Sequence, residues 1–216
     1  NSQKVGPTNF AGLRQADYGK GFRMPAISEL VQLVYASLEN QDYKTAKEVI
    51  STLQKYWVAG NTGVHYTKKG MWVQDYPNME NGRISMKEAE LEKMLGEHEE
   101  KGVVFSDDKR VRFTPYNYKN ESQSALELSR NTGVIAFSGG EENAEKLAKA
   151  SEHYRLKPNF WALLNVDSPQ TRVAELSSYG FGVRLCVDAY YSENNDNRYS
   201  FGVLDKDTAG VAPKNK

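Results

Sequence analysis

The chain has 216 residues, no formal net charge, 39% hydrophobic and 26% charged residues. That balance fits one globular unit, which the helix and strand signals below make α+β, and gives no general electrostatic pull toward nucleic acid or an anionic membrane. No apolar run approaches the ~20 residues of a membrane span, Asn1 opens no signal peptide, and the single cysteine, Cys186, excludes an internal disulfide and a cysteine-built zinc site.

In chain order, Ser28 is the expected N-cap of a helix in which Leu30, Val31, Val34 and Leu38 recur at helical spacing. A second helix is expected after Asp42, with Ala46, Val49, Ile50, Leu53 and Trp57 on one face. The short link makes these two an antiparallel or crossed pair. Val64–Tyr66 and Met71–Val73 read as a hairpin about Lys69-Gly70, and Val103–Phe105 and Val111–Phe113 as another about Asp107–Arg110. Between the hairpins, Ser85 and Glu88 have the spacing of a capping box ahead of a charged helix carrying Leu91, Met94 and Leu95. A second box, Ser124 with Glu127, opens a short helix that ends at Gly133. The apolar runs Val134–Phe137 and Phe160–Leu164 read as buried strands around a helix carrying Ala144, Leu147, Ala148 and Ser151. Val183–Ala189 and Arg198–Val203 are expected to form a last hairpin, and Asp205–Lys216 reads as a disordered tail.

Few constellations suggest chemistry. Ser138-Gly139-Gly140-Glu141 opens a helix where backbone N–H groups could hold an anion. It lacks the glycine pattern and lysine of a phosphate loop, so an N-cap is the plainer reading. His65, His98 and His153 have no metal-ligand spacing, and Asp107-Asp108 or Asn165 with Asp167 could supply oxygens to calcium only as ordinary turn residues do. We expect no metal, no cofactor and no enzyme activity.

Composition changes abruptly from Leu176 to Leu204. Lys, Gln, Met and Trp are absent there, Glu193 is the only Glu, and Tyr, Ser, Asn, Asp and Gly take over. Binding loops use this mixture, because Tyr offers rigid amphipathic contact area while Ser, Asn and Gly adapt their hydrogen bonding. The plainer alternative is a polar turn at Asn194-Asn195-Asp196-Asn197.

The stretch Gly19-Lys20-Gly21-Phe22-Arg23-Met24-Pro25, with Ser178-Tyr179-Gly180-Phe181-Gly182 and Tyr199-Ser200-Phe201-Gly202-Val203 near the other end, resembles C-type lectin folds of the formylglycine-generating-enzyme type. Together with ENAEKLAKASEHY and VDSPQTRV, these segments resemble the variable proteins of archaeal diversity-generating retroelements over nearly the whole chain. In that family a reverse transcriptase copies a template with adenine-directed errors and overwrites the end of the variable-protein gene. Mutating the adenines of AAY codons gives no Lys, Glu, Gln, Met or Trp, the types depleted after Leu176. Glu193 is then a fixed position, and Cys186 either a varied residue or a buried structural one.

The resemblance implies a hypervariable ligand-binding protein on a single domain, residues 1–204, with a variable region at about 176–204. A non-diversified adhesin or structural module on the same fold is the alternative. The paired cysteines of formylglycine chemistry are missing. Leu185, Val187, Tyr199, Phe201 and Val203 are assigned to the scaffold, with Phe22 and Phe201 buried. Cys186, Asp188, Tyr190, Tyr191, Asn194, Asn195, Asp196 and Asn197 are the varied ligand contacts, with Ser177 and Val183 as outliers. The expected partner is a protein or other macromolecule, not nucleic acid, met in the cytoplasm or on a surface.

Overall fold

The computed structural model describes residues 3–178 and 182–205. Tyr179–Phe181 and most of the expected tail, 206–216, lie outside the described residues. Strand β1 (Lys4–Thr8) leads to helix α1 (Phe10–Gln15), which Asn9 caps by accepting the Gly12 N–H at 2.9 Å. Beyond the short strand β2 (Phe22–Arg23), helix α2 (Ile27–Glu39) buries Leu30, Val31, Val34 and Leu38. Its cap is not Ser28, which lies inside the first turn. Ala26 takes the cap position without a side-chain bond, and the Glu29 carboxylate accepts the Ala26 N–H at 2.9 Å, the half of a capping box that the third helical residue supplies. Helix α3 (Lys44–Leu53) buries Ala46, Val49 and Leu53 but ends before Trp57, where a run suited to a pleated sheet begins.

Strand β3 (Trp57–Thr67) pairs with β4 (Gly70–Asp75) in the expected hairpin. A ribbon of β5 (Asn78–Glu80) and β6 (Arg83–Ser85) takes Ser85 as a strand partner of Asn78, so no capping box forms with Glu88. Helix α4 (Glu88–Met94) therefore starts later than expected and leaves Met94 exposed, while Leu95 opens β7 (Leu95–Glu100). Strands β7, β8 (Val103–Ser106) and β9 (Val111–Thr114) meander onto β4.

Helix α5 (Ala125–Arg130) carries the full box: Ser124 Oγ accepts the Glu127 N–H at 3.2 Å and Glu127 accepts the Ser124 N–H at 2.8 Å. It ends at Asn131, short of Gly133. The Asn131 side chain accepts the Gly133 N–H at 3.0 Å and starts helix α6 (Thr132–Ser138). Val134–Phe137 is thus helical, not a strand. An unbroken apolar run carries neither period, and a helix buried all round reads like a central strand. Helix α7 (Glu141–Ser151) follows, with Ala144, Leu147 and Ala148 inward. Then come β10 (Asn159–Trp161), covering only the start of the expected 160–164 strand, β11 (Gln170–Ser177), β12 (Cys186–Asp188), β13 (Arg198–Phe201) and β14 (Val203–Leu204).

Among the described residues one sheet runs β10-β12-β11-β3-β4-β9-β8-β7, with β13 alongside the first residues of β3 and β1 outside β13. Alternation sorts its side chains into two cores. Met71, Val73, Ala174 and Leu176 join the helices' main cluster, whereas Trp72 and Val173 join a smaller one with Phe10 and Leu13.

The last two long segments do not form a hairpin. β12 is paired on both edges, to β10 in parallel and to β11 antiparallel, and β11 and β3 separate it from β13. The two ends of the chain do meet: β14 pairs with β2, and β13 with β1. Phe201 is buried there and Phe22 half-buried.

The glycine-rich segment before α2 fixes this junction. Arg23 bonds both Glu29 oxygens at 2.8 Å and stands 3.5 Å from Asp205, tying α2 to the C-terminal strand. Gly60 lets β3 pass the helix start, since a Cβ there would lie 2.7 Å from the Ile27 backbone. No helix among the described residues is long and apolar enough to cross a membrane.

Candidate ligand-binding site

The pairing of β10, β12 and β11 places alternate residues on one face. Trp161 lies beside Asp188 and Glu175, and Asn159 beside Cys186 and Ser177, while Phe160, Val187 and Leu176 point into the main core. Residues 190–197 return over the first face. Consequently Cys186 is 8% exposed, Asp188 1%, and Glu175 and Ser177 not at all. Alternation along 183–188 therefore gives the correct face, but not the exposure expected for Ser177, Cys186 and Asp188. A strand's period says which residues share a side and nothing about what later covers them.

Arg198 holds that cover down. It is buried at the start of β13, its Nε donates to the buried Glu175 carboxylate, and its terminal nitrogens donate to the carbonyls of Asn195 at 2.8 Å and Ser192 at 2.6 Å. An acceptor for each of the three guanidinium nitrogens offsets the cost of burying that charge. Burial pushes the Glu175 carboxyl above its ordinary range, with Arg198 pulling the other way. Asp188 accepts the Tyr190 N–H at 2.9 Å, and burial pushes its carboxyl up to about 6. The Glu193 carbonyl accepts the Phe10 N–H at 3.3 Å, fastening the stretch to α1 as well.

Beside this cover opens a cavity of about 580 Å³. Val183, Arg184, Cys186, Asp188, Tyr190 and Tyr191 line it from the compositionally shifted segment, and Trp57, Asn120, Leu156, Asn159 and Trp161 from elsewhere in the chain. Its aromatic groups are largely accessible: Trp161 is 45% exposed, Tyr190 49% and Tyr191 43%. The Tyr191 ring lies 5.3 Å from that of Trp57 and 5.9 Å from that of Tyr190, at a steep angle to both.

Of the expected contacts, the structure thus gathers Val183, Cys186, Asp188, Tyr190 and Tyr191 at one cavity. Ser177 is packed beneath it. Asn194, Asp196 and Asn197 are exposed and Asn195 half-buried, away from the cavity lining. Asn195 accepts the Asn197 N–H at 3.1 Å, a local polar turn. Sequence reasoning missed Arg184 and the whole opposite wall. Only the alternation of Asn159 and Trp161 about the apolar Phe160 hinted that these two face away from the core.

The other candidates resolve into structural roles. At the Gly-Gly turn Glu100 accepts the Glu141 N–H at 2.9 Å, so the chain supplies its own anion; the Ser138 hydroxyl points to the Gly140 carbonyl at 3.3 Å and caps nothing. His65 bonds Thr171, His98 bonds Glu100 and His153 bonds Glu39. Asp108 accepts from Ser106 Oγ and the Arg110 N–H, closing the β8–β9 turn. No group of three His, Cys, Asp or Glu side chains able to hold a metal occurs among the described residues.

No family model and no curated protein matches this sequence. One solved structure does match in shape: it is described as "Accommodation of massive sequence variation in Nanoarchaeota by the C-type lectin fold", with a TM-score of 0.63 at 15% identity, over 94% of this chain and 97% of that one. At that identity the likeness speaks for architecture, and this chain has the C-type lectin fold.

Proposed function

We propose that this chain is a hypervariable ligand-binding protein without catalytic activity, whose C-terminal region is diversified by adenine-directed retroelement copying on a scaffold of the formylglycine-generating-enzyme type. One observation carries the reading: six of the eleven residues lining the main cavity come from the segment in which Lys, Gln, Met and Trp are absent. A segment restricted in residue type and also gathered at one concavity is what a diversified site requires. The description of the matching structure, with its massive sequence variation in Nanoarchaeota, supports the same reading. The partner is a protein or another macromolecule, met by the rim tyrosines as antibody loops meet antigen.

The test is the gene's neighbourhood. A nearby reverse-transcriptase gene and a template repeat are expected, with the two copies differing only where the template has adenine, at codons that include those of Val183, Cys186, Asp188, Tyr190 and Tyr191. A locus without such a repeat would leave a fixed adhesin as the better account.

A further inference from the structure

Among the described residues the aromatic cavity has one carboxylate in its lining. Asp188 lines the cavity while being 1% exposed. Its hydrogen bonds come from backbone N–H groups, that of Tyr190 at 2.9 Å among them, and it forms no ion pair among the described residues. The guanidinium closest to hand, that of Arg198, has its donors committed to Glu175, Ser192 and Asn195. Glu175 stands beside Asp188 in the strand register, but it is paired with Arg198, so the two together add no net charge from behind. Arg184, the basic residue of the lining, lies toward Cys186 and has its buried Nε without an acceptor. A second acceptor, Asn159 Oδ1, is buried at the same cavity without a donor. Native structures seldom leave buried polar atoms unmet, so the Asn159 acceptor and the Arg184 donor point to a ligand that brings both kinds of partner, as a polypeptide does, and Asp188 beside them favours one whose donor is positively charged.

The walls fit the same occupant. Trp57, Trp161, Tyr190 and Tyr191 surround the cavity, with Tyr191 set steeply against both Trp57 and Tyr190. Ring faces of differing orientation around an acidic floor attract a cation through their quadrupoles, and a guanidinium also stacks flat on an indole. An anionic ligand would face Asp188 without gaining the Arg198 donors, which point to Glu175, Ser192 and Asn195. We propose that the cavity receives a basic side chain, arginine or lysine, of a polypeptide ligand, with its charge toward Asp188 and its stem among the four rings. This deepens the binding-site reading above and rests on it.

The test titrates the chain with N-acetyl-arginine amide, N-acetyl-lysine amide and the neutral isostere N-acetyl-citrulline amide, following the indole signals of Trp57 and Trp161. The arginine probe should bind at least about tenfold more tightly than the citrulline probe, and the lysine probe should share that advantage. Asp188→Asn should abolish the difference. Trp161→Ala, which removes an exposed ring and so leaves folding intact, should weaken all three probes and keep their order. Equal binding of the arginine and citrulline probes overturns the charge preference while leaving the cavity a binding site. Failure of every probe at millimolar concentration overturns the proposed occupant, whereas the gene-neighbourhood test judges the broader reading by itself.

Discussion

Arg198 and Glu175 are bonded to each other beneath residues 190–197, and neither side chain touches solvent. Replacing Arg198 by Ala would strand a buried carboxylate and free two loop carbonyls, so a loss of about 3–5 kcal/mol is expected in denaturant melts. The double replacement Arg198→Met with Glu175→Leu should recover much of that stability. It should still leave the amides of Ser192–Asn197 exchanging with solvent faster than in the parent, because nothing then holds their carbonyls. A single replacement costing under about 1 kcal/mol would mean that water reaches the pair.

Fixed and replaceable positions should separate in thermal melts. Simultaneous Ala substitution of Tyr190, Tyr191, Asn194 and Asn195 removes side chains that are exposed or half-buried, each worth about 0.5 kcal/mol or less. Phe201→Ala empties a site in the main core and should cost about 3–5 kcal/mol. The reverse order would make the tyrosines packing residues.

The pH dependence has a definite sign. The Asp188 carboxyl titrates near 6 in the fold against 3.8 ordinarily, so the folded chain holds its proton more tightly than the unfolded chain does. The stability this contributes is present below pH ~4 and lost as pH rises through ~6, about 3 kcal/mol in all for a shift of about two units. Glu175 is shifted in the same direction. Melts of Asp188→Asn should therefore decline less than those of the parent between pH ~4 and ~7. A basic probe should bind more tightly over that same rise, as Asp188 ionises.

Glu100 offers a separate check at the Gly-Gly turn. Against its partial burial, Lys109, the Glu141 N–H and His98 hold its carboxyl down to about 2. Glu100→Ala should cost about 1 kcal/mol, as a lost cap does. Added sulfate should then raise the melting temperature of the variant more than that of the parent, because beyond sulfate's general stabilising effect only the variant's α7 has its N-terminal donors open to an outside anion.

What could be read from the sequence follows the range of the interactions concerned. The hairpin around Gly70, the Ser124–Glu127 box and the amphipathic faces of α2, α3 and α7 are set within a few residues, and all are legible locally. Ser85, Trp57 and Val134–Phe137 were misjudged because a distant partner decides each: a ribbon strand claims Ser85, the sheet claims Trp57, and packing on every side makes α6 look like a strand. The candidate site divides in the same way. Its half between Val183 and Tyr191 carries a compositional mark, whereas Trp57, Asn120, Leu156, Asn159 and Trp161 are brought to it only by strand pairing and loop return.

The separation of β12 from β13 in the sheet has a consequence for length as well as for residue type. The span from Ala189 to Asn197 runs between two piers, each seated among partners that the other does not share. Residues added within such a span change no register in either pier as long as the carbonyls of Ser192, Glu193 and Asn195 keep their bonds to Arg198 and Phe10, and each doubling of a flexible loop costs only about 0.6 kcal/mol in closure entropy. An insertion between these tethers, at Asn194, therefore leaves the framework unchanged, so that the bridge is open to change in length as well as in spelling.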